Sequence, residues 1–299
     1  MIRIVKQNEL NGHIAPIYGL HVSGKNYVYS GGVDRQVIRW DLEDLNKSKI
    51  ITKSSEAIYS LFHFVGNNYL FVGTSTGKIH VVDLNSKKEI KLLKNHTDKI
   101  FDFQLFGSNL IAVSADGSIS FTNLINLKTE QILNISNERI RSIDVKNNMA
   151  AIACGNSDIV ILDLVNKTIL KSFIAHQKSC NVVKFHPFNN LLLSGGWDGH
   201  LKLWGQDYQL QTSIPAHNYA IYSIVFSPDK KLFATGSRDK TIKIWDAKNP
   251  EFPRSITFEN LVGHQYSVNR LVWNKENDYL ISASDDRKIM IWSVESKLN

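Results

Sequence analysis

Short apolar segments separated by turn residues run the length of the chain, and their period is that of β-strands. IYSLFHF, NYLFVGT and KIHVVDL follow one another between Ile58 and Leu84, with polar or glycine-bearing gaps between them; such segments read as strands with one face toward a core. In MAAIACG (149–155) and DIVILDL (158–164) the alternation gives way to nearly unbroken apolar runs, which predicts strands covered on both faces. The first complete group predicts strands from Ile17 to Val22, Tyr27 to Ser30, Val37 to Leu42 and Ile50 to Lys53, with Gly24 and Gly31/Gly32 in the turns. The first ten residues alternate weakly, and Ile2, Ile4 and Leu10 can share one strand face.

These groups repeat. In the stretch from Ile214 to Asp246, His217, Thr235, Asp239 and Trp245 stand at offsets that recur in His176/Ser194/Asp198/Trp204 and His264/Ser282/Asp286/Trp292, and nearly so in His13/Ser30/Asp34/Trp40. The tryptophan position becomes Val82, Thr122 and Leu162 in the intervening groups, and the seven positions are spaced 42, 40, 40, 42, 41 and 47 residues apart. Group two has neither histidine nor turn aspartate. Group three keeps His96 and Asp116 but has Ala112 at the hydroxyl position, and group four carries Ser136 and Asn156 in the histidine and aspartate slots. This pattern resembles the WD-repeat family of β-propellers, strongly in groups one, five, six and seven and more weakly in two to four. The resemblance implies an all-β, seven-bladed propeller of four-stranded antiparallel blades, a single domain over 1–299. Since the chain stops soon after Trp292, the last blade lacks an outer strand, and the N-terminal segment is expected to complete it and so remove two exposed sheet edges. The longer final interval holds the insert KNPEFPRSITFEN, whose Pro250 and Pro253 predict a loop ahead of an outer strand, on the end of the ring opposite the histidine loops; it is also a possible second contact site.

Composition narrows the function. A 43% hydrophobic chain of 299 residues can bury a large core, and a repeat array overrides the two domains that length alone would suggest. Cys154 and Cys180 are too few for a disulfide framework and lack metal or redox spacing, which fits an intracellular, cytoplasmic setting. The charged residues Arg3, Lys6 and Glu9 break up the first ten positions, against a signal peptide, and no apolar run is long enough to span a membrane. The net charge of +7 is spread over turns and strand edges without a long basic block, which suits a solvated surface better than a nucleic-acid footprint.

Histidine, hydroxyl, aspartate and tryptophan together invite a catalytic reading, but catalysis needs one constellation and this chain has four copies. WD-repeat proteins use these residues as a structural hydrogen-bond network, and the resemblance implies that role for His13, Ser30, Asp34 and Trp40 and for the three other complete sets. His13, His96, His176, His217 and His264 belong to different blades and do not converge on one metal ion. No phosphate-binding loop, nucleophile elbow or HExxH pair occurs, so no catalytic residue, cofactor or metal is expected.

In a propeller of this kind two positions per blade face the mouth of the ring. Five after the histidine position stand Tyr18, Tyr59, Phe101, Arg141, Asn181, Tyr222 and Asn269; just before the turn aspartate stand Val33, Ser75, Ala115, Gly155, Trp197, Arg238 and Asp285. Aromatics and arginines dominate binding energy at interfaces. The expected partner-binding residues are therefore Tyr18, Tyr59, Phe101, Arg141, Asn181, Trp197, Tyr222, Arg238 and Asn269, on the top face around the central channel. The alternative use of these aromatics is to pack on one another and narrow the channel. The leading expectation is a non-catalytic scaffold, a monomeric propeller within a larger assembly, that binds a protein or peptide with an acidic or aromatic anchor residue. A nucleic-acid-associated subunit, and a small-ligand binder or enzyme using the channel, are the alternatives.

Overall fold

Residues 2–250, 253–256, 263–276 and 278–296 are described by a computed structural model. Among them every regular element is a β-strand, and the strands form seven four-stranded antiparallel sheets, the blades. By compactness the chain divides into two units, Met1–Ile58 with Tyr222–Asn299, and Tyr59–Ile221.

The first unit opens with β1 (Ile2–Asn11) and blade one: β2 (Ile17–Ser23), β3 (Tyr27–Gly32), β4 (Gln36–Asp41) and β5 (Ser48–Lys53). Boundary residues aside, the second unit holds blades two to five. Blade two is β6 (Ile58–Phe64), β7 (Tyr69–Thr74), β8 (Ile79–Asp83) and β9 (Lys88–Leu93); blade three is β10 (Ile100–Phe106), β11 (Asn109–Ser114), β12 (Ser118–Asn123) and β13 (Thr129–Asn134). Blade four is β14 (Ile140–Lys146), β15 (Met149–Cys154), β16 (Asp158–Asp163) and β17 (Thr168–Ile174); blade five is β18 (Cys180–Phe185), β19 (Leu192–Gly196), β20 (His200–Trp204) and β21 (Leu210–Pro215). The first unit resumes with blade six, β22 (Ile221–Phe226), β23 (Leu232–Ser237), β24 (Ile242–Asp246) and β25 (Arg254–Ile256), and with β26 (Val268–Trp273), β27 (Tyr279–Ser284) and β28 (Lys288–Ser296) of blade seven.

Blade seven shows the expected closure: its order is β1-β28-β27-β26, with Ile2 opposite Ser296 and Asn11 opposite Lys288. Leu10 anchors the first strand, buried among Ile17, Leu20, Trp40, Ile289 and Ile291. Glu9 ties it electrostatically, with Lys6 at 2.8 Å and Lys288 at 2.6 Å. Burial pushes this carboxyl up, but the hydrogen bonds from Lys288 and Lys6, with their charges, hold it at about 2. In the insert of blade six, Pro250 and Pro253 precede the three-residue β25, as a loop ahead of an outer strand requires; residues 251–252 and 257–262 lie outside the described residues.

Within each unit the apolar cores lie between neighbouring blades. Ile111, Val113 and Phe121 of blade three pack on Ile143, Ile152 and Leu162 of blade four, whose opposite face packs through Ala151, Ile159 and Ile161 on Val183 and Trp204 of blade five. The unbroken apolar runs of β15 and β16 therefore have both faces covered, as their lack of alternation predicts.

Candidate functional site

The recurring polar residues form buried relays. In blade one the His13 Nδ1 lies 2.7 Å from Asp34 Oδ2 and its Nε2 2.6 Å from Ser30 Oγ, while the Trp40 indole donates to the same Oγ at 2.7 Å. Blade five repeats the set in His176, Asp198, Ser194 and Trp204 at 2.8–2.9 Å, and blade seven in His264, Asp286, Ser282 and Trp292 at 2.7–3.1 Å. In blade six the Trp245 indole donates to Thr235 Oγ1 at 2.9 Å, His217 is buried, and Asp239 accepts from Thr241. An indole can only donate, so the serine hydroxyl accepts from it and still has its proton to give to Nε2, an arrangement in which the imidazole carries its own proton on Nδ1 toward the aspartate. This requires neutral imidazoles. Burial pushes His176 and His96 below the usual range against the pull of Asp198 and Asp116. Burial raises Asp198 and Asp286, but the histidine hydrogen bonds and the backbone N–H donors outweigh it and hold both carboxyls low.

Each aspartate also shapes its turn. Its Oδ1 accepts the N–H two residues on, as from Gln36, Ser118, His200 and Lys288, and the intervening residue has positive φ: 64° at Arg35, 75° at Gly199, 70° at Arg287. Gly196 has a different reason, because a Cβ there would meet the His176 ring.

The first rim position has a shared cause. The pairing of the innermost strand with its neighbour slips at Tyr18, Phe101, Arg141, Asn181 and Asn269, so each is the extra residue of a β-bulge, which removes it from the strand's two faces and re-aims its side chain. The second position is tied beside it: the N–H groups of Val33, Ala115, Gly155, Trp197 and Asp285 donate to the carbonyls of Pro16, Lys99, Arg139, Ser179 and Ser267, each two residues before the bulge. In the second unit Tyr59 meets Phe101 edge-on at 5.6 Å between ring centres, and the Arg141 guanidinium lies 4.9 Å over Phe101. Packing and presentation are thus combined in one strip. Trp197 is 38% exposed on its turn. In the first unit Tyr18 and Tyr222 are half-buried and Arg238 is exposed. Asn181 departs from the expected role: it is 4% exposed, accepts from Ser179 Oγ and donates to the carbonyl of Ile221, so its amide holds strands together. Asn269 donates to the Ile17 carbonyl at 2.9 Å and to Asp285 at 2.8 Å, the same locking role.

The family model described as "WD domain, G-beta repeat" matches residues 167–205, 208–246 and 256–293. A solved structure, "Crystal structure of WD40 beta propeller domain of Doa1", superposes with a TM-score of 0.88 over 99% of this chain and 98% of that one, at 18% identity. The chain is a β-propeller that carries WD repeats. Similar curated proteins include the probable cytosolic iron-sulfur protein assembly protein 1 of Kluyveromyces lactis, 30% identical over 42% of this chain and 41% of that protein. WD repeat-containing protein 1 of Rattus norvegicus is 26% identical over 78% of this chain and 40% of that protein, and pre-mRNA-processing factor 19 of Caenorhabditis elegans is 25% identical over 37% and 32%. The chain spans about a third to two fifths of the length of these relatives.

In this propeller the relays lie in the blade interiors. Ser30, Ser194 and Ser282 are fully buried, and both nitrogens of the histidines in blades one, five and seven are engaged, so no hydroxyl is presented to a substrate. Among the described residues no group of three or more His, Cys, Asp or Glu side chains could hold a metal ion, and no helix is long and apolar enough to cross a membrane. Blade three of the propeller holds a relay that the motif conceals. His96 Nε2 meets Ser120 Oγ at 2.8 Å and its Nδ1 meets Ser118 Oγ at 2.8 Å, with Asp116 at 3.4 Å. Ser120 lies directly across the β11–β12 ladder from Ala112, so the hydroxyl has moved one strand over. The sequence signal was Ser118 and Ser120 on either side of Ile119, aimed at one face of a strand.

Proposed function

We propose that this protein is a non-catalytic, intracellular interaction scaffold that binds a partner protein or peptide on the face carrying the bulge residues, with an acidic or aromatic anchor residue on the partner. The observation that carries this reading is the strip Tyr59–Phe101–Arg141, in which a cation and two aromatic rings from three successive blades come together, Phe101 and Arg141 each on a bulge. Guanidinium groups pair with carboxylates and aromatic rings stack on one another, so the strip suits an acidic or aromatic anchor. Trp197 extends the same chemistry in the second unit, while Tyr18, Tyr222 and Arg238 offer it separately in the first. The names of the similar proteins, among them an assembly protein and a processing factor, support an assembly role.

The test is affinity capture from native lysate with mass spectrometry, comparing the wild-type chain with Trp197→Ala/Tyr222→Ala and with Arg141→Ala. Partners held by the wild type and lost from both variants, with circular dichroism unchanged, support the reading; partners captured equally by all three remove these residues from the interface. A partner whose binding falls steeply with salt and is released by nuclease would instead favour nucleic acid.

A further inference from the structure

Blade four lacks three of the groups that fill the top of blade five. Ser136 stands for His176, Asn156 for Asp198, and Val160 for Lys202, each at the same place in its repeat. In blade five the Lys202 ammonium donates to the Ala175 carbonyl at 2.6 Å. In blade four that position is a buried valine, and a cleft of about 320 Å³ opens there. Its walls include Ser136, Asn156, Asp158 and Ser172, with Cys154 and Val160 also lining it, and none of its nine lining residues is cationic. Asp158 is half-buried and Asn156 donates its side-chain amide to it at 2.9 Å. The cleft thus combines a carboxylate, amides and hydroxyls at a place where the adjacent repeat seats a lysine of its own. A second cleft of about 600 Å³ shares Asn156 and Asp158 and leads to Lys202, so the carboxylate is reachable from two sides.

We propose that the top of blade four is a binding site for a lysine or arginine side chain presented by a partner protein, with Asp158 as its counter-ion and the surrounding amides and hydroxyls as further acceptors. The carboxylate disfavours phosphate, which sets nucleic acid aside at this site. Cys154 contributes volume and no chemistry: burial, with a smaller contribution from the Asp158 charge and against a hydrogen bond with Ser136, pushes its thiol up to about 12. The site goes beyond the rim proposed above and uses none of the bulge residues, so either can fail alone.

The experiment is titration of the full-length, isotope-labelled chain with N-acetyl-arginine amide and N-acetyl-lysine amide at constant ionic strength, with N-acetyl-leucine amide as control, followed by NMR at the side-chain amides of Asn137 and Asn156. The expected result is saturable shifts with the two cations and none with leucine. Affinity should fall about tenfold or more in Asp158→Asn, since a charge-assisted hydrogen bond is lost. Saturation should disappear in Ser172→Lys, which puts an ammonium on an exposed wall of the cleft without disturbing the buried Val160. The absence of saturable shifts, equal shifts with leucine, or undiminished affinity in Asp158→Asn would overturn the proposal.

Discussion

Removing one hydroxyl should cost blade three less than blade five, and the difference follows from the number of groups each hydroxyl serves. Ser194 Oγ satisfies both the Trp204 indole and His176 Nε2, whereas Ser120 satisfies only His96 Nε2. Both serines and both histidines are buried, so a group deprived of its partner finds no water. With about 1–3 kcal/mol for each buried polar group left unpaired, Ser120→Ala should destabilise by about 1–3 kcal/mol and Ser194→Ala by roughly 2–6 kcal/mol. Urea denaturation followed by tryptophan fluorescence measures both, with the exposed Thr212→Ala as a control expected within about 0.5 kcal/mol of wild type. Because Ala112 lies across the ladder from Ser120, Ala112→Ser added to Ser120→Ala returns a hydroxyl to the place the complete blades use and should restore at least half of the loss. If Ser120→Ala matches the control, the relay in blade three carries no energy. If Ser194→Ala costs no more than Ser120→Ala, counting served groups is the wrong account.

Two further outcomes follow from the relays and the closing strand. The depressed imidazoles of His96 and His176 let the unfolded chain take up protons first, so stability should begin to fall as pH drops below about 6.5, and the depressed carboxyls of Asp198 and Asp286 add a second loss near pH 4; urea midpoints unchanged from pH 7.5 to 5.5 would contradict this. Leu10→Ala should cost about 2–5 kcal/mol because the side chain is buried against blade one, while Val5→Ala on the same strand, partly exposed, should stay near 0.5 kcal/mol or below by the same measurement.

The seven blades and their closure could be read from the chain because both depend on features periodic in sequence. Apolar runs give the strands, the spacing from Trp40 to Trp292 gives the count, and the missing final strand with Ile2, Ile4 and Leu10 at the other end gives the closure. What could not be read depends on where a side chain points once the register slips. Asn181 and Arg141 occupy the same bulge position, yet Asn181 is short enough to turn back on Ser179 and the Ile221 carbonyl while Arg141 reaches over Phe101. The relay of blade three was hidden for a related reason: a hydroxyl at Ser120 is four residues beyond Asp116 in sequence, but one ladder rung from Ala112 in space.

That displacement bears on why some blades keep the full motif and others do not. A blade needs its buried imidazole satisfied, and it needs no particular residue to do so. Blade three supplies the hydroxyls from a neighbouring strand, and blade four removes the demand by having no histidine, with Ile152 and Leu162 buried in the slots that hold the hydroxyl and the indole in the complete blades. Partial removal would be worse than either, since a lone buried imidazole or indole carries an unpaired donor. The degenerate blades are therefore self-consistent alternatives. The cost of the second solution is space: with no imidazole and no lysine at the top of blade four, the cleft beside Asp158 stays open, and this opening is the one we propose takes a partner's cationic side chain.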